Sequence, residues 1–256
     1  MQALADQLLL FLAGTPRLLG LVALAPGLSN AIMPPQVRVA LAVGLAVALG
    51  PLVASPDPAL SRLPLGAYLL LLLGELAVGV ALGFCLSCLL EAARLAGELA
   101  DFQIGFNAGE LYDPVAGGTN SILGRLWYLA AVLFFFQLDG HHWLIGGLAR
   151  SYVVCPVGEV VLQRHWGLLA GQVLQSSFAL GLRLAAPLVA ALIMADFTLG
   201  LVSRGMPQMN VLFVGMPAKI AVGLAALAAC SPGLGSALGD IVGLARQVML
   251  RAVGGP

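Results

Sequence analysis

The sequence predicts an all-α membrane protein built from hydrophobic helical hairpins, with some of the helices broken. Hydrophobic residues make up 60% of the 256-residue chain and charged residues only 9%, against about 25% charge in an ordinary globular protein. The mean hydropathy is +1.00. Apolar runs of roughly 18 residues or more recur along the chain, and about 20 helical residues are enough to cross a bilayer.

Charge and cysteine content argue against several classes of protein. Twelve basic and twelve acidic residues cancel, so no basic field attracts nucleic acid, and none is expected as a partner. The four cysteines lie in or beside apolar stretches, unlike the framework of a small secreted domain. Cys85 and Cys88 have CxxC spacing, but we interpret them as buried small residues rather than as a metal or redox site. Residues 1–256 are expected to form one unit.

Two apolar segments come first. Leu8 to Ala25 contains Arg17, has no basic cluster ahead of it and lacks a convincing cleavage site, so we expect it to be retained. Val37 to Val53 follows a pair of prolines, which marks the start of a second helix. A polar connector, Ser55 to Pro64, ends this part of the chain.

The third segment is predicted to be one long helix that becomes amphipathic towards its end. Near that end Glu91, Arg94, Glu98 and Asp101 are spaced by three, four and three residues, which places them on one helical face. We interpret this face as solvated and supported by an Arg94 to Glu98 pair. The alternative is a surface that lines an aqueous path.

A loop of about 18 residues, Ile104 to Ser121, follows this helix. It is rich in glycine, asparagine and turn residues, and it lies between two strongly apolar segments. Loops of this length in compact structures tend to be either disordered or functional. The aromatic residues and glycines of this loop favour a functional loop over a disordered one.

Apolar segments continue after the loop. Ile122 to Leu138 is aromatic, and Asp139 is predicted to be the N-cap of a short helix that ends near Arg150. The next segment, Trp166 to Val202, is too long for one untilted span, and we expect it to bend or break near Pro187.

Two further segments complete the chain. Val211 to Cys230 is expected to break or bend at Pro217, and Leu234 to Val253 is predicted to be a separate last element. Elsewhere, small residues at four-residue spacing, such as Gly79 and Gly83, permit close contacts between helices.

Charged residues inside apolar segments are candidates for function, because each is costly in hydrocarbon unless it is paired. They are Arg17, Glu75, Arg183, Asp196 and Lys219. We interpret them as structural ion pairs or interface groups, and a proton or ion relay through Glu75 and Asp196 as the alternative. Arg183 and Asp196 lie thirteen residues apart, so they would pair only through tertiary or intersubunit contact.

No motif supplies catalytic chemistry. The chain has no GxSxG elbow, HExxH pair or phosphate-binding glycine loop, so we expect neither an enzyme nor a cofactor. Asp139, His141 and His142, with His165 further on, suggest a metal. Adjacent helical residues point about 100° apart, however, and no metal site is expected.

The most specific segment is Arg204 to Lys219, RGMPQMNVLFVGMPAK. Pro207 interrupts a helix, and Gln208 and Asn210 supply amide donors and acceptors beside the interruption. At membrane depth an interrupted helix is tolerated only where protein or a water-filled cavity satisfies the backbone. The segment therefore predicts a cavity or an interface.

This segment resembles the signature of the FliR family of flagellar export proteins, which the SctT subunits of virulence secretion systems share. The residues that carry the resemblance are Pro207-Gln-Met-Asn-Val211, Val214-Gly-Met-Pro217 and Lys219. It extends over nearly the whole chain, through Gly97-Glu98, Gln103-Ile-Gly105, Asp113-Pro114, Asp139-Gly-His-His142, and Leu199-Gly200 ahead of Ser203-Arg204. The doubled histidine favours the flagellar branch.

The resemblance implies a subunit of the type III export gate, through which unfolded flagellar proteins leave the cytoplasm. It implies assembly with FliP and FliQ homologues and contact with FlhB and FlhA homologues. The expected location is the bacterial inner membrane at the flagellar basal body, in contact with lipid, with part of the complex above the membrane plane.

The resemblance also implies functional residues. The family's pore plug corresponds to the loop Ile104 to Ser121, and the plug candidates are Phe106, Asn107, Gly117, Gly118 and Asn120. Candidates for subunit interfaces or buried polar contacts are Arg17, Glu75, Arg183, Asp196, Arg204, Gln208, Asn210 and Lys219.

Two other classes of protein stay open. A secondary transporter or permease subunit would place a substrate site at the membrane midplane, near Arg183, Asp196 and Pro207. A passive structural scaffold would assemble with other subunits but would contain no conduit.

Overall fold

The computed structural model describes residues 2–26, 34–53, 63–106, 121–158, 164–205 and 211–254. Within these ranges the regular structure is entirely α-helical, which confirms the predicted all-α class. The helices are α1 (Gln2–Leu24), α2 (Pro35–Val53), α3 (Leu65–Ile104), α4 (Ile122–Gln137), α5 (Gly140–Val154), α6 (Arg164–Gly205) and α7 (Val211–Gly254).

Three helices are unusually long. α3 has 40 residues, α6 has 42 and α7 has 44, and at 1.5 Å per residue each is about 60 Å long. That is twice the hydrocarbon core of a bilayer, about 30 Å. In the described part of the chain these three helices are long and apolar enough to cross a membrane, and the bent pair of α4 and α5 could form a fourth span.

The prediction of one long third helix is confirmed by α3, and of the bends or breaks predicted near Pro187 and at Pro217, no break is present. α6 continues through Pro187, and α7 continues through Pro217 and Pro232. The segment from Leu234 onwards is therefore the second half of α7 rather than a separate element.

At Pro232 a neighbouring hydroxyl compensates for the lost backbone bond. A proline has no N–H, so the carbonyl four residues earlier loses its donor. That carbonyl belongs to Ala228, and the Ser231 Oγ donates a hydrogen bond to it at 2.9 Å. Serine and threonine side chains are known substitutes of this kind in apolar helices, so the helix passes the proline without a break.

The packing divides into two compact units. Unit 1 contains Met1–Leu89, Phe135–Gln175 and Gly243–Pro256, and unit 2 contains Leu90–Phe134 and Ser176–Val242. Because the boundaries fall inside helices, α3, α4, α6 and α7 each contribute residues to both units.

In unit 1, α1 and α3 cross with backbone against backbone. A Cβ added at Gly79 would collide with the carbonyl oxygen of Arg17, and a Cβ at Gly20 would lie 2.7 Å from the carbonyl oxygen of Leu76. At Gly83 the nearest atom would be a side-chain carbon 2.9 Å away. Only glycine allows such an approach, so the expected close contact at Gly79 and Gly83 is confirmed.

Unit 2 has a similar close contact between α3 and α4. A Cβ at Gly97 would lie 2.5 Å from the backbone nitrogen of Gly124. Further along, α7 packs on the end of α3, because a Cβ at Gly223 would lie 2.7 Å from Ile104, and α6 contributes Leu192 at 3.5 Å. The last turn of α3 is therefore held by α6 and α7 inside this unit.

Large apolar side chains remain exposed along the long helices. In unit 1, Leu65, Leu70 and Leu73 of α3 are exposed, and in unit 2, Met194 and Phe197 of α6 are exposed. Soluble monomers rarely expose apolar surface in continuous stretches. These faces fit contact with lipid or with other protein subunits.

We expect Gly79→Ala to destabilise unit 1 by about 1–3 kcal/mol, the usual cost of adding atoms to a packed core. The matched control is Gly66→Ala in the same helix, where a Cβ would meet nothing within 4 Å. The measurement is the thermal unfolding midpoint of the full chain in detergent, which should fall for Gly79→Ala alone. Equal midpoints for both variants would contradict the close crossing of α1 and α3.

Candidate functional site

The predicted loop begins and ends at a short stem, which we define as residues 101–106 and 121–124. On the first side α3 ends at Ile104, and Gly105 has a φ of +93°, a conformation that glycine adopts without strain. Phe106 follows and is exposed. On the second side Ser121 directly precedes α4. The other plug candidates, Asn107, Gly117, Gly118 and Asn120, lie outside the described residues.

Asp101 contacts both sides of the loop stem. Its Oδ2 accepts hydrogen bonds from the Ser121 hydroxyl at 2.6 Å and from the Leu123 amide at 2.9 Å. Its backbone carbonyl accepts hydrogen bonds from the amides of Gly105 at 2.9 Å and Phe106 at 3.1 Å. The start and the end of the loop are therefore joined through one residue, which is fully buried.

Asp101 and Ser121 together cap the start of α4. The first amides of a helix have no partner within the helix. Here the Ser121 Oγ accepts a hydrogen bond from the Gly124 amide at 2.9 Å, and Asp101 accepts one from the Leu123 amide. A carboxylate at this position is also favoured by the helix dipole. The capping bonds thus offset part of the cost of burying the Asp101 charge.

The charged face of α3 is only partly as predicted. Arg94 lies 3.0 Å from Glu98 and 3.7 Å from Glu91, and all three side chains are substantially exposed, as expected for a solvated face. The inclusion of Asp101 in this face is wrong. Asp101 has the same helical spacing as the other three residues, but the start of α4 packs over it and buries it. Periodicity along α3 cannot predict a contact with another helix.

Asp196 connects the loop stem to α6 and α7. Its Oδ2 accepts a hydrogen bond from the Gln103 side chain at 3.0 Å, and its Oδ1 lies 2.9 Å from the Lys219 Nζ. The side chains of Asp196 and Lys219 are 42% and 23% exposed, so solvent screens the pair and its energy is modest. The pair mainly fixes positions, because it joins the loop stem to Lys219, the last residue of the segment Arg204 to Lys219.

Arg183 and Asp196 do not share a site. They lie on one continuous helix, so their thirteen-residue separation corresponds to about 20 Å along its axis. Arg183 lines a separate cavity, whereas Asp196 pairs with Lys219. Arg204 is exposed in the last turn of α6. Pro207, Gln208 and Asn210 lie outside the described residues.

A second charged network lies in unit 1, around a fully buried ion pair. The Nε and Nη2 of Arg17 both lie 2.7 Å from the Glu75 Oε2. Arg17 also donates hydrogen bonds to the carbonyls of Ser151 at 3.0 Å and Cys155 at 3.1 Å. Its guanidinium carbon lies 4.5 Å from the centroid of the Tyr152 ring. Every charged group of the pair is therefore in contact with an opposite charge or a dipole.

The network joins α1 and α3 to the end of α5. The last carbonyls of a helix have no donors within the helix, and a cation is favoured there. Arg17 supplies that cation. Glu75 contacts the residues that follow α5, because its Oε1 accepts a hydrogen bond from the Gly158 amide at 3.2 Å. This arrangement is that of a structural ion pair, and its members, 58 residues apart in sequence, are brought together only by the fold.

Asp139 and Gly140 form the turn between α4 and α5. Asp139 occupies the predicted N-cap position, but the predicted capping bond is absent, because its backbone is left-handed with a φ of 54°. Its carboxylate instead lies 3.2 Å from the His142 Nδ1. A Cβ at Gly140 would collide with the ring of Phe135. Gly140 is thus required by the close approach of Phe135, and Asp139 is one of the few residues besides glycine that tolerate the left-handed conformation.

The two adjacent histidines lie closer together than expected. The ring centroids of His141 and His142 are 4.1 Å apart, and their ligand atoms lie within 4.8 Å of each other and of Asp139. The expectation that they point too far apart is wrong, because the His141 ring turns towards the Asp139–His142 pair on the first turn of α5. That pair is exposed, so proximity alone assigns no metal. No disulfide joins Cys85 and Cys88.

Comparison with known proteins gives consistent matches. The family described as bacterial export proteins, family 1, matches residues 8–244. The chain is 31% identical to the flagellar biosynthetic protein FliR of Escherichia coli (strain K12), over 84% of this chain and 82% of the relative. It is 32% identical to FliR of Bacillus subtilis (strain 168), over 64% of each chain. It is 28% identical to the secretion system apparatus protein SsaT of Salmonella typhimurium, over 60% of each.

We expect Glu75→Ala to destabilise unit 1 by about 3–5 kcal/mol, because it leaves the Arg17 charge buried without its partner. Replacing both residues, by Arg17→Met with Glu75→Leu, should recover most of that loss, since no buried charge remains. The measurement is again the thermal midpoint of the full chain in detergent. A double variant as unstable as Glu75→Ala would show that the unpaired charge is not the cause.

Proposed function

Because this chain belongs to the bacterial export proteins, family 1, we propose that it is a subunit of the flagellar type III export gate and that its loop plugs the pore. The FliR relatives support the flagellar branch, and SsaT supports a common architecture with virulence secretion. The exported cargo is unfolded flagellar protein. The chain contributes a conduit and its closure, and it carries out no covalent chemistry.

In this proposal the chain assembles with FliP and FliQ homologues in the bacterial inner membrane, at the flagellar basal body, and contacts FlhB and FlhA homologues. The exposed apolar faces of α3 and α6 support contact with subunits and lipid. Helices of about 60 Å exceed the hydrocarbon core, which supports a complex that projects above the membrane plane.

The loop stem is the observation that carries the proposal. A loop can obstruct a pore only if its two ends are held in place, since free ends would let it leave the opening. Asp101 bonds the start of the loop through its backbone and the end of the loop through its carboxylate. Between these ends, Phe106, Asn107, Gly117, Gly118 and Asn120 are the proposed obstructing residues.

The ion pair beside the stem supports a fixed anchor. Gln103 of the stem bonds Asp196, and Asp196 pairs with Lys219. The stem therefore stays attached to α6 and α7 while the loop between its two sides moves aside during export. The energy for export comes from other parts of the apparatus.

We expect deletion of Gly117 to Asn120 to leave the complex assembled but to increase ion leakage through it, because the shortened loop no longer fills the pore. Deletion of four residues from another connector, Asp57 to Leu60, is the matched control and should not change leakage. The measurement is the conductance of the purified complex in planar bilayers. Unchanged conductance in an assembled complex would contradict the plug.

We expect Asp101→Ala to weaken the loop stem by about 1–3 kcal/mol, since buried amides lose their acceptor. Leakage should then increase, but less than after the deletion, because the loop is intact. Glu91→Ala removes an exposed carboxylate earlier on α3 and is the control. Equal leakage from the two variants would count against Asp101 as the residue that holds the loop.

A further inference from the structure

The turn between α4 and α5 carries three side chains that can ligate a metal ion, and neither the loop stem nor the buried ion pair of unit 1 includes them. Asp139, His141 and His142 each offer one ligand atom, and these three atoms lie within 4.8 Å of one another. The Asp139 Oδ1 and the His142 Nδ1 are 3.2 Å apart. Two ligands of one tetrahedral ion, each about 2.0–2.1 Å from it, are separated by about 3.4 Å. One edge of a metal site is therefore already formed.

The backbone that carries these side chains is fixed by contacts of its own. Asp139 has a left-handed φ of 54°, and its carbonyl accepts a hydrogen bond from the His142 amide at 2.9 Å. Gly140, between them, lies against the Phe135 ring, where an added Cβ would collide. Binding to a fixed backbone costs less conformational entropy than binding to a mobile one. The turn is therefore arranged for these ligands before an ion arrives.

Packing also restricts one of the two imidazoles. His141 is half-buried, and its ring centroid lies 5.7 Å from that of Phe136 and 4.1 Å from that of His142. The side chains of Asp139 and His142 are 73% and 72% exposed, so both can rotate. Separations of up to 4.8 Å must shorten by at most about 1.4 Å to reach tetrahedral spacing. The two exposed side chains can supply that shift while His141 stays in place.

The donor set selects the kind of ion. Two imidazole nitrogens and one carboxylate oxygen are ligands of Zn²⁺ and of related transition metals, whereas Mg²⁺ and Ca²⁺ prefer oxygen ligands alone. Zn²⁺ sites with three protein ligands keep a fourth position for water. The distances, the fixed turn and the donor chemistry therefore agree on one class of ligand.

We propose that Asp139, His141 and His142 bind one Zn²⁺ ion, with water in its fourth position. The ion joins Asp139 in the turn to the first turn of α5, and so stabilises the junction at which the chain bends by 68° between α4 and α5. This site goes beyond the proposed gate function, because it requires neither the loop nor a neighbouring subunit.

Titration calorimetry with Zn²⁺ tests the site on the full chain in detergent, purified with a tag that contains no histidine. We expect one Zn²⁺ per chain. Asp139→Asn keeps a residue that tolerates the left-handed turn and removes the carboxylate, and His142→Gln removes an exposed imidazole. Each should weaken binding by about tenfold or more, since even the loss of a group that only orients a ligand costs about 10–100-fold in affinity.

His165→Gln is the matched control, because His165 is the one other histidine of the chain, and its affinity for Zn²⁺ should equal that of the unchanged protein. Unchanged affinity for both Asp139→Asn and His142→Gln, or no binding to the unchanged protein, would overturn the site and leave the gate function standing. Displacement of Zn²⁺ by Mg²⁺ would overturn it as well, since the exposed carboxylate alone would then explain the binding.

Thermal unfolding supplies a second readout. An ion that binds only the folded chain stabilises it, so saturating Zn²⁺ should raise the unfolding midpoint of the unchanged protein and of His165→Gln. The midpoints of Asp139→Asn and His142→Gln should respond much less at the same Zn²⁺ concentration. An equal rise in all four proteins would show that Zn²⁺ acts elsewhere on the chain and would overturn the proposal.

Discussion

Two buried charged side chains, Arg17 and Asp101, hydrogen-bond backbone groups at helix ends and so connect segments that are distant in the sequence. In apolar surroundings a charged side chain and an unpaired backbone group at a helix end are both costly, and two buried charged residues of this chain bond backbone groups at helix ends. Arg17 bonds carbonyls at the end of α5, and Asp101 bonds amides at the start of α4. These residues therefore fix the points at which the chain leaves one helix and enters the next.

The proposed function uses one of these points directly. A plug needs a loop whose ends stay fixed while its middle moves, and Asp101 fixes both ends at the start of α4. The Asp196 contacts with Gln103 and Lys219 extend that anchor to α6 and α7. The exposed apolar surface is left for lipid and for other subunits, as expected of a component of a secretion apparatus.

Local features of the fold could be predicted from the sequence, whereas contacts between distant segments could not. The all-α class and the long α3 follow from hydropathy within short windows. Asp101 has the spacing of an exposed residue and is buried by a segment that begins twenty residues later. Its partner Ser121 does carry a local signal, a serine directly before an apolar helix. The helix boundary expected between Cys230 and Leu234 is absent, and there Ser231 bonds the carbonyl that Pro232 leaves without a donor.

The position of residues 107–120 in an electron cryomicroscopy structure of the complete co-purified complex tests directly whether this loop plugs the pore. We expect density for this loop inside the central pore, entering and leaving at the stem that Asp101 holds. Density for the loop outside the pore, with the stem intact, would contradict it.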